Sequence, residues 1–253
     1  MVSSSTRTLL FGIFVLARRT LTAAEIVALS RPLGISATNA KSHLTRMVAE
    51  GALERTGPRR RARYGPSKSQ AAVVEGIEAR LRADPDEPWN GEWMVLTLKM
   101  PANRGERERL RALLWFDGFR PWDGSTFARP AWPQEWAAAR ARHYLAGIPG
   151  LGIQGELVGN VATSRLYDLD ALDREARKLA ARIREKRIPV SSPARAFAAR
   201  LEVGGMVARL AGHDPRLPKS IWGKRNGMRD LGRAFAAFEK RVVPAAQRFL
   251  HGV

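Results

Sequence analysis

Cysteine is missing altogether from the 253 residues. That excludes disulfides, thiolate zinc sites and a cysteine nucleophile, and it fits a reducing, cytoplasmic setting. Histidine is scarce: His43, His143, His213 and His251 lie far apart, with no pair at the spacing of an H-E-x-x-H metal helix. The apolar run Leu9 to Ala17 is too short to span a bilayer. Only Arg7 precedes it and no small-residue cleavage pattern follows, so it reads as a buried first helix and not as a signal peptide. Acid is the other shortage. Against 43 Lys and Arg there are 24 Asp and Glu, a formal charge of +19, which points to a polyanionic partner with nucleic acid first. A merely solvated basic surface is the plain alternative, so the placement of the charge decides.

What is present starts with local helix signals. Leu9, Leu10, Ile13, Phe14 and Ala17 fall at helical spacing while Phe11 and Val15 add a second apolar face, so this helix is expected to be covered on both sides. Thr22-Ala23-Ala24-Glu25 is a capping box opening a short helix to about Ser30. Arg31-Pro32-Leu33-Gly34 breaks it. Ser36 then caps a third helix whose Ala40, Leu44, Met47 and Val48 share one face up to Gly51, leaving Thr38, Asn39, Lys41, Ser42 and Thr45 outward. Leu53 to Thr56 and Ala62 to Pro66 make the two strands of a hairpin around a basic turn, Arg59 to Arg61. Ser67 to about Leu81 returns to helix, and Asp84-Pro85-Asp86-Glu87-Pro88 reads as a linker.

Beyond the linker, Trp93 to Met100 alternates as a strand, an arginine- and leucine-rich helix runs from after Pro101 to Asp117, and Gly118-Phe119 turns the chain. Extended pieces near Pro121–Trp122, Thr126–Ala128 and Gly152–Val158, with a helix from Gln134 to Leu145, give a β-α-β-β-α-β order. Helices are expected over 169–188, 193–211 and 228–250. The fold expected is therefore a multidomain α+β protein: a winged helix-turn-helix with its connecting helix (1–83), a ferredoxin-like α+β domain (89–165) and an all-helical C-terminal domain (166–253).

Three short helices and a basic hairpin are what reading a major groove requires, since a groove about 12 Å wide admits one helix and flanking cations hold phosphates. Residues 1–66 carry eleven Lys or Arg against three acids. Asn39 suits adenine and Lys41 guanine, with Thr38, Ser42, Thr45 and Arg46 beside them for bases or phosphate. Arg59, Arg60, Arg61 and Arg63 are expected to serve phosphate or the minor groove.

The stretches Gly34-Ile35-Ser36, Ala40-Lys41-Ser42-His43-Leu44-Thr45-Arg46-Met47 and Glu50-Gly51-Ala52-Leu53 resemble the recognition helix and wing entry of the PaaX-like transcriptional repressors, whose winged helix is GntR-like. Trp89-Asn90-Gly91-Glu92-Trp93 with Arg107 to Leu114 and Gly118-Phe119 is similar to that family's W-x-G-x-W and R…L…GF pattern. Asp214-Pro215-Arg216-Leu217-Pro218, followed by Trp222-Gly223, resembles its DP-x-LP segment. Departures stand at Ala37 and Lys41, where arginine is common in GntR-like recognition helices, and the leucine-leucine-proline usual before the late tryptophan is absent. The resemblance implies a cytoplasmic homodimer on double-stranded operator DNA, repressing a catabolic operon such as one for phenylacetate. It implies release by an aromatic acyl-CoA and no cofactor.

Effector residues stay unassigned. Trp115, Trp122, Trp132 and Trp136 can stack an aromatic group and Arg177, Lys178, Arg182 and Arg184 can meet phosphates, yet buried tryptophans and a solvated helix face are the better explanation of them. Two other function classes remain. A metal-dependent nuclease with a Cas2-like middle domain needs an aspartate at the end of its first strand, where this chain has Thr97-Leu98-Lys99-Met100. An architectural binder would use phosphate contacts alone.

Overall fold

Ser5 caps the first helix, α1 (Thr6–Ala17), its hydroxyl accepting from the Thr8 amide at 3.2 Å. In the computed structural model, which describes residues 5–58, 61–81, 88–157, 163–188 and 191–253, α1 leads to a two-residue strand, β1 (Leu21–Thr22), and α2 (Ala23–Ser30). The capping box forms as its residues dictate. The Thr22 hydroxyl accepts from the Glu25 amide at 3.2 Å and the Glu25 carboxylate accepts from the Thr22 amide at 2.7 Å. A single 3-10 turn at Arg31–Leu33 precedes α3 (Ala37–Ala49), capped by Ser36 on the Asn39 amide at 3.2 Å. The hairpin follows as β2 (Leu53–Thr56) and β3 (Arg63–Pro66), then α4 (Lys68–Leu81). β1 pairs with the free edge of β3, making a three-stranded sheet of order β1-β3-β2. Two residues are too few for a hydrophobic alternation, so β1 leaves no signal in the sequence.

Glu25 holds this corner together. Burial works against its ionisation, but the Thr22 amide, the Arg19 guanidinium and the Thr22 hydroxyl together draw its carboxyl down to about 2. A carboxyl lowered in the folded state stabilises fully above its ordinary value of 4.5 and loses that contribution as pH falls toward the folded value. Glu25→Gln keeps the shape but loses the ion pair with Arg19. At pH 7 it is expected to cost about 1 kcal/mol, the usual size for a cap, with the half-exposed arginine screened by solvent. Urea titrations at pH 7 and pH 3 check this: the gap between variant and parent should shrink at the lower pH, and a gap independent of pH would contradict it.

After Pro88 the chain forms β4 (Trp93–Leu98), α5 (Arg104–Phe116), β5 (Arg120–Asp123), β6 (Thr126–Pro130), α6 (Gln134–Gly147) and β7 (Gly150–Gly155). The strands make one antiparallel sheet of order β5-β6-β4-β7. Alternation along β4 sends Met94, Leu96 and Leu98 to the side where Leu110 and Leu114 of α5 and Ala141 and Tyr144 of α6 are buried. Trp93 goes to the other side with Ala128, Tyr167, Leu169 and Leu217. Helices complete the chain: α7 (Thr163–Leu166), α8 (Leu169–Glu185), α9 (Pro193–Ala211), α10 (Lys219–Trp222) and α11 (Gly227–His251). The chain is thus a mixed α+β protein with two small antiparallel sheets among the described residues. No described helix is long and apolar enough to cross a membrane. The linker expected at Asp84 to Pro88 lies, apart from Pro88, outside the described residues.

Contacts divide the chain into two compact units where three domains were expected. The first comprises Met1–Arg82, Lys178–Arg209 and Asp230–Val253, and the second Ala83–Arg177 and Leu210–Arg229. In this division the C-terminal third is shared between the two units. The physical reason is where its apolar residues go: Phe197 and Leu201 of α9 and Ala246 and Leu250 of α11 join Leu10, Ile13, Phe14, Ile26, Leu29, Leu44 and Met47 in one core. The face of α1 that carries Leu10, Ile13 and Phe14 is covered in this way.

In the second unit two of the motifs singled out in the sequence, Gly118-Phe119 and Asp214 to Pro218, meet at one buried arginine. Arg129 is fully buried on β6, donating from Nε to the Pro130 carbonyl at 2.9 Å, from Nη2 to the Trp132 carbonyl at 2.6 Å and the Arg216 carbonyl at 3.4 Å, and from Nη1 to the Asp117 carbonyl. Gly118 sits at φ +82°, and a Cβ there would run into the Pro215 carbonyl, so only glycine suits the turn. The Tyr167 hydroxyl donates to the Gly118 carbonyl at 2.9 Å, and burial pushes that phenol up to about 12. Next to it the buried Asp117 carboxylate accepts from Arg140 Nε at 2.6 Å and the Tyr144 hydroxyl at 2.7 Å. Trp89 and Trp93 meet edge to face at 6.1 Å, and the Trp89 indole donates to the Glu92 carbonyl.

Candidate nucleic-acid interface

The third helix owes its exposed face to its own spacing. Ala40, Leu44 and Met47 are buried, at intervals of four and three, which leaves Thr38, Asn39, Lys41, Ser42, Thr45 and Arg46 all exposed. Thr38, Lys41 and Thr45 follow one another along the helix, as do Asn39, Ser42 and Arg46, so the six form two neighbouring rows. Thr45 is partly engaged, its hydroxyl donating back to the Lys41 carbonyl at 3.2 Å.

Ion pairing sorts the cations of this segment. Arg7 pairs with Glu50, Arg18 with Glu78 at 3.6 Å, and Arg19 with Glu25. Arg63 has partners within the chain. It donates from Nε to the Thr20 hydroxyl at 2.9 Å and from Nη2 to the Thr20 carbonyl at 2.7 Å, with Glu25 4.0 Å away. It fastens the hairpin to the turn before β1 while its side chain stays partly exposed. Among the described residues Arg31, Lys41, Arg46, Arg55 and Arg61 form no ion pair. Lys41 and Arg46 stand on the exposed rows of α3, and Arg55 and Arg61 belong to the hairpin. Glu54 is the acid left on the hairpin, and strand alternation turns it to the face opposite Arg55. Arg59 and Arg60 lie outside the described residues.

The arrangement presents hydrogen-bonding side chains of two kinds on one helix, an amide at Asn39 and an ammonium at Lys41, with unpaired guanidinium groups beside them. Such groups match base edges and phosphate oxygens respectively. Arg55 was not singled out in the sequence. The signal was available, since alternation from the buried Leu53 places it on a defined face of β2.

The aromatic residues weighed for an effector do not form one site. Trp132 is buried, Arg120 stacks on Trp115 at 3.6 Å, and Arg129 and Arg216 lie over Trp136 at 4.5 and 5.6 Å. Trp122 is half exposed. Of the basic residues on α8, Arg177 pairs with Asp173 at 2.8 Å and Arg184 with Asp230. Among the described residues no three His, Asp or Glu come together as a metal-holding group.

Comparison with known protein families and with curated proteins gave no match. Among solved structures, that of the uncharacterised protein Rv0674 from Mycobacterium tuberculosis is similar, with a TM-score of 0.52 and 21% identity over 95% of this chain and 98% of that one. A likeness at that identity concerns the fold alone.

Proposed function

We propose that this chain is a sequence-specific DNA-binding regulator of transcription, acting in the cytoplasm as a homodimeric repressor of the PaaX-like kind. In this reading α1 to α3 and the hairpin are a winged helix-turn-helix, and the sheet of order β5-β6-β4-β7 is a ferredoxin-like domain. The observation that carries it is the sorting of charge: acids pair with Arg7, Arg18, Arg19 and Arg63, while Lys41, Arg46, Arg55 and Arg61 on the helix and hairpin keep none. A helix capped by Ser36, with Asn39 and Lys41 exposed in its first turns, suits entry into the major groove by its N-terminal end. Two copies on a twofold axis read half-sites separated by whole turns of about 10 base pairs. Release requires a small effector that favours one state over the other.

Selection of bound genomic fragments followed by footprinting tests this. The expected result is a two-part site protected at salt concentrations that release random duplex. Asn39→Ala is expected to relax base preference at one position of each half-site by about 1–3 kcal/mol while leaving random-sequence affinity nearly unchanged. Equal affinity for the selected site and random duplex at matched salt would instead make the protein an architectural binder.

A further inference from the structure

A cavity of about 570 Å³ lies within the first unit, on the side of α1 turned away from α3. Phe11 and Val15 of α1, Val73, Val74 and Ile77 of α4 and Leu201 of α9 wall it. The second apolar face of α1 is thus only partly used by packing, and what remains borders open space. Gly12 lets α1 approach α9 closely, since a Cβ there would stand 3.1 Å from the Leu201 side chain. The adjacent Gly204 and Gly205 leave α9 without side chains where it borders the cavity. The volume is that of a small-molecule pocket, which runs from about 300 to 1,000 Å³.

The charged groups on its walls are unbalanced. Arg7, Arg200 and Arg209 face a single acid, Glu78. Arg7 is paired with Glu50 and Glu78 with Arg18. Arg200 is largely buried, pairs with Glu239 and lies over the Phe235 ring at 5.0 Å, yet its Nε has no hydrogen-bond partner. Arg209, one turn beyond Gly205 and exposed, forms no ion pair among the described residues. An apolar chamber rimmed by an unspent guanidinium selects a ligand with an apolar body and one negative head.

We propose that this cavity binds a small organic carboxylate, its alkyl or aryl body between α1, α4 and α9 and its carboxylate on Arg209. The site supplies the effector pocket that a regulator requires, and it rests on the DNA-binding function only for what binding does next. Leu10, Ile13 and Phe14, on the other face of the same α1, share a core with Leu44 and Met47 of α3.

Binding is measured without DNA, so the two proposals fail separately. Calorimetry on the full chain compares octanoate and 2-naphthoate with their uncharged counterparts, 1-octanol and 2-naphthol. At least one carboxylate is expected to bind one per chain and at least tenfold tighter than its neutral counterpart. Ala208→Phe, which fills the cavity from α9, is expected to weaken that binding at least tenfold. Should that variant misfold, Arg209→Glu on the exposed helix surface decides: it is expected to abolish the preference for the carboxylate, and Arg209→Lys to restore most of it. No saturable binding by any of the four probes, equal affinity for charged and neutral members of each pair, or an unaltered preference in Arg209→Glu would each overturn the proposal.

Discussion

Arg129→Met is expected to destabilise the second unit by about 3–5 kcal/mol. The side chain is fully buried and donates to the carbonyls of Asp117, Pro130, Trp132 and Arg216. A methionine fills much of the space but supplies no donor, and each buried carbonyl left unpaired costs about 1–3 kcal/mol. Arg129→Lys restores the charge without the planar fork that reaches several carbonyls at once, and is expected to recover less than half of the loss. All seven tryptophans fall in the second unit, so tryptophan fluorescence during urea unfolding reports on this unit directly. A midpoint for the methionine variant within about 0.3 M of the parent would contradict the role given to Arg129.

Removing Lys41, Arg46 and Arg61 together is expected to lower DNA affinity about 100- to 1,000-fold near 0.1 M salt. It should also reduce the slope of log affinity against log salt by about 2–3, since each lost phosphate contact releases roughly one counterion fewer. Arg7→Ala is the control. It removes one charge from the same unit, as does each member of the set replaced singly, but from a residue already paired with Glu50, and a change under threefold is expected. Equal losses from the control and from any one member of the set would mean that net charge alone attracts DNA, and that the helix and hairpin have no special place in it.

The first unit was legible where its determinants are local. Thr22 with Glu25 and Ser36 with the Asn39 amide are contacts across three residues, and the exposed rows of α3 follow from a short period in its own sequence. Contacts that span long stretches were not legible. Arg63 stood in a run of arginines and had every mark of a free surface cation, yet its partner Thr20 is 43 residues away. Arg129 was invisible as a core residue, because sequence patterns treat arginine as surface. The DP-x-LP and GF motifs were visible as a resemblance, but their common cause is the packing around Gly118 and Arg129, where the Pro215 backbone closes on the turn. Those motifs therefore mark a structural knot and say little of a ligand. The cavity left only the second apolar face of α1 as a sign, since its other walls come from α4 and α9, residues up to nearly two hundred positions away.

The core shared by α1 to α3 with α9 and α11 sets an order of events during synthesis. The helices that present Asn39 and Lys41 leave the ribosome early, but Phe197, Leu201, Ala246 and Leu250, which close their core, emerge more than 150 residues later. Local caps form at once; the long-range closure must wait. Until then the part of this core that α9 and α11 cover is open to solvent, a site for chaperones or misassembly, and a nascent chain stalled before α9 would carry α3 without the packing that completes its core. Completion of the core beneath α3 is in this way tied to synthesis of the chain through Leu250.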